Sequence, residues 1–290
     1  MKVGIIGLGL IGGSIGLALR SSELSSNIEQ IIGISRREQT LGLARQLGVV
    51  DDGDSEERSG EKALEKLADA DLIFLCTPIH LILPKLRELS AHLKKGAIVT
   101  DVASVKGPIM SEAAKIMPKG TFFVGAHPMA GKEKAKLEHA EAGLFQNRPW
   151  IFISKGNTRA INKVKEIAAA LGGKVMEMDA KKHDLAVAAV SHVPLAVAAA
   201  LVNSVAEASL AQAEMKEAAS SGFRDTTRVA SGEVELGREM FLTNPKPILK
   251  QLKAFKSNLK RLESAIKSGN AKEIEAVLAE AKQFRDSLPL

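Results

Sequence analysis

The stretch MKVGIIGLGLIGGSIGLALR, residues 1–20, decides the fold. Val3 to Ile6 is a short apolar run of the kind that forms a buried strand. Gly7, Gly9 and Gly12 follow in the spacing G-x-G-x-x-G, and Ser14 to Arg20 continues in a helical pattern without proline. Strand, glycine turn and helix in that order are the context of a dinucleotide-binding fingerprint. Gly7 permits the tight turn, Gly9 lets a pyrophosphate approach the backbone, and Gly12 lets helix and strand pack closely. The helix N-terminus offers free N–H groups to phosphate. Leu8, Leu10 and Ile11 complete the turn and count with the cofactor contacts. The alternative is a glycine turn that binds nothing, but the clean strand ahead of it supplies the context a lone motif lacks.

Outside this stretch, composition narrows the options. A chain of 290 residues, 45% hydrophobic and 26% charged, has room for a large core and for two domains. Its one cysteine, Cys76, allows no internal disulfide and no cysteine-cluster metal site, so no metal is expected. With no basic-then-apolar leader ahead of the first strand, a reducing, cytoplasmic setting is expected. The net charge of +6 and pI of 9.3 suit anionic ligands. An aromatic share of 3% leaves few stacking platforms for nucleic acid. The chain has no tyrosine, which excludes dehydrogenases whose acid is a tyrosine phenol. Zinc-dependent dehydrogenation lacks its thiolates, and proton transfer falls to His, Lys, Asp or Glu.

Along the chain, Gln30 to Ile34 reads as the second strand. An NAD site would place an acid at its end, for the ribose 2′-hydroxyl. Here Ser35, Arg36 and Arg37 stand there instead, and guanidiniums pair with a 2′-phosphate. The pattern predicts NADP; two merely solvated arginines would leave the missing acid unexplained. Thr40 to Leu47 reads as a helix ended by Gly48, Asp51 to Gly60 as an exposed loop, and Glu61 to Ala68 as amphipathic. Asp71 to Cys76 is a strand broken by Thr77 and Pro78, at the strand end where open α/β sheets bind ligands. Cys76 reads first as a packed core thiol. Further strands are expected at 97–102, 122–125, 150–154 and 174–178, with helices between them. This alternation means a doubly wound, mostly parallel sheet.

From Lys181 strand signals stop and alanine-rich helical segments take over. Leu185 to Val202 has the length of a membrane span. Ser191, His192 and Pro194 interrupt it, and small side chains suit packing against a second subunit, so no membrane is expected. Lys250, Lys253, Lys256 and Lys260 form a stripe of the solvated kind.

Three polar features stand out. His127 lies in a Gly/Pro-rich loop after a strand, as a positioned base or as a capping histidine. Ser104 also follows a strand, as a turn residue or as a hydroxyl that bonds a ring nitrogen and fixes its tautomer. The run 220–228, SSGFRDTTR, is too rich in Ser, Thr and Gly for a helix interior, and its arginines suit a carboxylate. His192, within the apolar stretch, reads by itself as a core histidine.

Six segments together, GLGLIGGSIGLALR (7–20), FLCTPI (74–79), TDVASVK (100–106), GAHPMAG (125–131), SHVP (191–194) and SSGFRDTTRVASG (220–232), resemble the prephenate/arogenate dehydrogenase family. The likeness runs nearly end to end and is strongest to the short cyanobacterial-type arogenate dehydrogenases. It implies a Rossmann-like domain over 1–178 and an all-helical dimerisation domain over 179–290, a homodimer, and oxidative decarboxylation of a cyclohexadienyl substrate. By the same resemblance His127 is the catalytic histidine, Ser104 bonds it and the substrate hydroxyl, Arg228 holds the ring carboxylate, and His192 is a second polar residue on the substrate side. Ser35 and Arg36, with Arg37 beside them, match 2′-phosphate contacts of NADP-using members, and Cys76 and Thr77 lie where the cofactor passes the strand end.

The expectation is NADP-dependent conversion of arogenate to tyrosine. Prephenate dehydrogenation is the alternative within the class, and a non-catalytic NADP sensor is a remote one that needs no Ser104, His127 and Arg228 together. After HPMAG the family often continues with Thr-Glu, whereas this chain has Lys132-Glu133-Lys134-Ala135-Lys136, which leaves side-chain specificity open. No regulatory domain is expected after the helices, so any inhibition by tyrosine would act at the active site.

Overall fold

A computed structural model describes residues 1–132, 134 and 136–289. The first part is a parallel sheet of six strands, β1 (Lys2–Ile6), β2 (Gln30–Ser35), β3 (Asp52–Ser55), β4 (Leu72–Leu75), β5 (Ile98–Asp101) and β6 (Phe122–Val124), in the order β3-β2-β1-β4-β5-β6. The helices α1 (Leu10–Ser21), α2 (Glu38–Gln46), the single turn α3 (Glu56–Ser59), α4 (Ile79–Ser90) and α5 (Gly107–Ile116) make the crossovers. This is a Rossmann-like sheet, and strand order reverses between β1 and β4. The strands lie between two apolar clusters: Val3, Ile5, Ile31, Leu72 and Phe74 on one face, and Ile6, Ile32, Ile34, Ile73 and Leu75 on the other. Burial on both faces explains why they read as continuous apolar runs.

The segment 51–60 differs from the expected loop. Asp52 to Ser55 pairs with β2 as the sheet edge, and Glu56 to Ser59 is helical. Its acids are paired, Asp52 with cations from outside the segment and Asp54 with one from the turn that follows it. Asp52 meets Arg45 at 3.0 Å and Lys66 at 2.7 Å, and Asp54 meets Arg58 at 2.7 Å. Charge therefore stays at the strand end without solvating it away.

The expected single sheet also needs correction. After β6 the chain passes Gly125 and enters β7 (Ala126–Pro128), which leaves the parallel sheet and pairs antiparallel with β8 (Pro149–Ile153); β8 then pairs parallel with β9 (Lys174–Met178), across helix α6 (Thr158–Ala170). Gly125 is the crossing point. A Cβ there would run into the sulfur of Met110, so a larger residue at the step between sheets would have to displace that side chain. His127 thus sits on a strand, in register with Ile151, rather than in a loop.

The rest is helical: α7 (Ala180–Val187), a π-helical turn (Ala188–His192), α8 (Val193–Ala208), α9 (Glu214–Glu217), α10 (Ser221–Thr227), α11 (Val234–Thr243), α12 (Pro245–Lys267) and α13 (Ala271–Ser287). The run expected to avoid helix is α10. Thr226 and Thr227 return their hydroxyls to the carbonyls of Gly222 and Phe223 at 2.8 and 2.6 Å, which satisfies them inside a helix. By length and composition Ala180–Ala208 could cross a membrane, and only 28% of its most apolar window is buried within this chain. Val190, Leu210, Val234, Leu242 and Leu249 are likewise exposed. A patch of this kind marks an interaction surface. His183 and Asp184, at the head of the same segment, are buried against the N-terminal domain.

Candidate active site

The C-terminal ends of β1, β2, β4 and β5 converge where strand order reverses, the position at which open α/β sheets take their ligands. Gly7 has φ +94°, and a Cβ on it would press on the carbonyl oxygen of Cys76 at 2.7 Å. A Cβ on Gly12 would run into the carbonyl of Gly7. Strand and helix therefore approach as only glycine allows. Gly9 precedes α1, no side chain caps that helix, and Leu8 and Leu10 are buried beneath the turn with Ile11 half-buried. The turn fits a dinucleotide pyrophosphate.

Beyond the turn, Thr77 Oγ1 is buried and has no hydrogen-bond partner among the described residues. Cys76 packs against the core, and burial pushes its thiol well above the ordinary range, so it is not a thiolate. Ser35 is buried, and its hydroxyl accepts from the N–H of Arg37 at 3.3 Å. The side chains of Arg36 and Arg37 are exposed. No acid ends β2, but Glu57 reaches across from α3 and accepts from the N–H of Glu38 at 2.9 Å, at the first turn of α2. Sequence order could not show this carboxylate beside the strand end.

At β5 and β7 the polar groups are deeply buried. Lys106 and Asp101 form an ion pair; Lys106 also donates to the carbonyl of Ala126 at 2.8 Å, and Asp101 accepts from the N–H of Ala126 at 3.3 Å. The pair ties the loop after β5 to the residue before His127. Burial pulls the Lys106 ammonium below its ordinary pKa, against the pull of Asp101. His127 is held well below an ordinary histidine, by burial first and then by His183, Lys106 and His192, so it is neutral.

The bond expected from Ser104 to His127 is not formed. Ser104 Oγ is buried without a hydrogen-bond partner among the described residues. His127 Nδ1 instead meets His183 Nε2 at 3.0 Å, and His183 Nδ1 meets Asp184 Oδ1 at 2.8 Å. Asp184 also accepts from the N–H groups of Lys106 and Gly107, each at 2.8 Å, at the start of α5. His183 and Asp184 were not legible as site residues. Their only signal was a polar pair at the head of an apolar run.

His192 is fully buried, and burial holds its pKa at about 4. Asn244 reaches His192 Nδ1 at 3.4 Å and donates to the carbonyl of Asp184 at 2.8 Å, while His192 Nε2 has no hydrogen-bond partner among the described residues. His183 and His192 are nine residues apart, which on a regular helix of about 100° per residue would set them on opposite faces. The π turn Ala188–His192 spreads that rotation and swings His192 back toward His183. Arg228 is exposed and opens the 3₁₀ turn Arg228–Ser231, which packs on α8. Lys132, in the basic segment after HPMAG, pairs with Glu141 at 2.7 Å; Glu133 and Ala135 lie outside the described residues.

Residues 15–177 match the family described as "Prephenate dehydrogenase, nucleotide-binding domain", and residues 179–280 match "Prephenate dehydrogenase, dimerization domain". The chain belongs to the prephenate/arogenate dehydrogenase family. Among curated relatives it is 31% identical to prephenate dehydrogenase of Bacillus subtilis over 289 residues, 99% of this chain and 76% of that one. Among solved structures it is similar to Synechocystis arogenate dehydrogenase, at 36% identity and a TM-score of 0.81 over 99% of each chain. It is also similar to prephenate dehydrogenase from A. aeolicus in complex with hydroxyphenyl propionate and NAD+, at 30% identity and a TM-score of 0.90 over 98% of this chain and 97% of that one. The family's members are oxidoreductases, and the Rossmann-type N-terminal domain suits a nicotinamide cofactor. In this member the glycine turn, Thr77 Oγ1 and the end of β2 are the groups that fit one.

Proposed function

We propose that the protein converts arogenate to tyrosine with NADP as hydride acceptor, and that His127 is the general base. The observation that carries this reading is the buried neutral imidazole of His127, anchored through Nδ1; Ser104 Oγ, Thr77 Oγ1 and His192 Nε2 are also buried and lack partners among the described residues. Buried polar groups without partners cost about 1–3 kcal/mol each, and a polar ligand would supply what they lack.

In this mechanism the substrate's ring hydroxyl gives its proton to His127 while the hydrogen on the same carbon leaves as hydride. When bound, the oxidised nicotinamide supplies the acceptor for that hydride. The bond from the ring to its carboxylate then breaks, carbon dioxide departs, and the electron pair completes the aromatic ring. A neutral imidazole suits the first transfer. Ser104 bonds the same hydroxyl, His192 Nε2–H donates to a substrate oxygen, and Arg228 pairs with the ring carboxylate. That carboxylate leaves as a neutral molecule, so Arg228 contributes to binding and orientation more than to the chemical step.

We assign residues 1–178 to cofactor binding and 179–290 to the substrate side and dimerisation, in a soluble, cytoplasmic homodimer. The apolar residues that the helical part leaves exposed support a dimer, and His183 and Asp184, tied into the N-terminal domain, argue against a membrane location. Ser35, Arg36 and Arg37 support NADP; the second reading, NAD, has Glu57 at the first turn of α2 in its favour. Prephenate is the alternative substrate. Steady-state rates of the wild-type protein with both substrates and both cofactors decide these choices. His127→Ala tests the base: NADP binding is retained and turnover falls by about 10²–10⁴-fold. Undiminished turnover would remove His127 from that role.

A further inference from the structure

Asp184 is the terminus of a chain of buried hydrogen bonds that ends at the base. Its two oxygens accept from the N–H groups of Lys106 and Gly107 at the start of α5, each at 2.8 Å. The positive end of that ten-residue helix favours the charged carboxylate. A carboxylate only accepts, so the 2.8 Å contact with His183 needs the hydrogen on His183 Nδ1. A neutral imidazole carrying that hydrogen has its lone pair on Nε2. The 3.0 Å contact with His127 then needs a hydrogen on His127 Nδ1. That leaves the lone pair of His127 on Nε2.

We propose that His183 and Asp184 are positioning residues for the base: they hold His127 in the tautomer that keeps its proton on Nδ1 and presents Nε2 to the substrate hydroxyl. The proposal rests on His127 being the base. It also gives the two domains a joint task. His127 comes from β7 of the sheet-bearing domain and His183 and Asp184 come from α7, so the tautomer is set only where α7 docks. When the ring hydroxyl gives its proton to Nε2, the new imidazolium is stabilised through His183 by the Asp184 carboxylate. The other charged or titratable groups around the pair are the Asp101–Lys106 ion pair and His192.

Nitrogen NMR of histidine-labelled wild-type protein, with NADP+ bound, reads the tautomer directly. The His127 resonances, identified by their loss in His127→Ala, are expected to show a protonated Nδ1 and an unprotonated Nε2. A protonated Nε2 would overturn the proposal. In parallel, His183→Phe keeps an aromatic ring in the site and removes both hydrogen bonds. Its kcat is expected to fall by about 10²–10⁴-fold, the scale of a misplaced base tautomer, with the KM for NADP unchanged. Asp184→Asn is expected to shift the acid limb of kcat/KM to lower pH, because the imidazolium loses its counter-charge. Wild-type kcat in His183→Phe, or an unmoved limb in an Asp184→Asn protein that still binds NADP, would overturn the positioning role. If His127→Ala loses its turnover while these variants turn over normally, the base reading stands and only the pair's role is lost. If His127→Ala turns over normally, the base reading itself is wrong.

Discussion

The side chains of Lys106 and Asp101 face each other as an ion pair with no solvent exposure on either. The same ammonium donates to the carbonyl of Ala126, the residue before His127. Removing one member of such a pair strands the other charge in the core, at a cost of about 3–5 kcal/mol. Lys106→Met is expected to lower the urea midpoint by a corresponding margin. The double variant Asp101→Leu/Lys106→Met should recover much of that loss, because no charge is left unpaired. A single variant as stable as wild type would show that the pair contributes nothing.

Arg228→Ala tests carboxylate binding. Loss of uniform binding raises KM and leaves kcat nearly unchanged. A rise of at least about tenfold in the substrate KM is expected from losing one charge-assisted contact. An unchanged KM would hand the carboxylate to another group, with Arg224 the first candidate.

The end of β2 carries opposing charges. Arg36→Ala should raise the KM for NADP and leave that for NAD alone, since only the former has a phosphate for the guanidinium. Glu57→Ala should do the reverse and favour NADP, because its carboxylate sits at the first turn of α2 and would repel that phosphate. Equal responses of both cofactors to both variants would place the 2′-position elsewhere.

His192 is held at about 4 and His127 well below its ordinary value, in both cases chiefly because burial penalises the imidazolium. Unfolded, both titrate near 6.5, so between those values the unfolded chain binds more protons than the folded one. Stability is therefore whole above about pH 6.5 and declines as the pH falls toward 4. A urea midpoint at about pH 5 as high as that at about pH 7.5 would contradict the buried, neutral state.

A methyl group on Gly12 would run into the carbonyl of Gly7 and press on Ile5 and Cys76. Gly12→Ala is expected to weaken cofactor binding by at least about tenfold, as the turn must open to admit it. Titration of the variant with NADP and NAD measures this. Wild-type affinity would mean that the turn is looser than the backbone geometry implies.

The local order of residues was enough to determine the Rossmann-like half. Val3 to Ile6, the three glycines and the helix after them carry their meaning within twenty residues, because a strand end, a positive φ and a helix start are all set by near neighbours. The helical half was legible for a similar reason, as strand signals cease after Met178. Pairings between distant residues were not legible. Asp52 read as loop because its cations, Arg45 and Lys66, find it only when the sheet edge forms. His127 read as a loop residue because β7 exists only through its partner β8. Its bond to His183 spans 56 positions and crosses between domains, and a π turn that no spacing rule anticipates aims His192. Residue type and local pattern determined where a base and a cofactor turn could be. Which atom of His127 faces outward was decided by tertiary packing, because a tautomer depends on the partner across the contact and not on the neighbour along the chain.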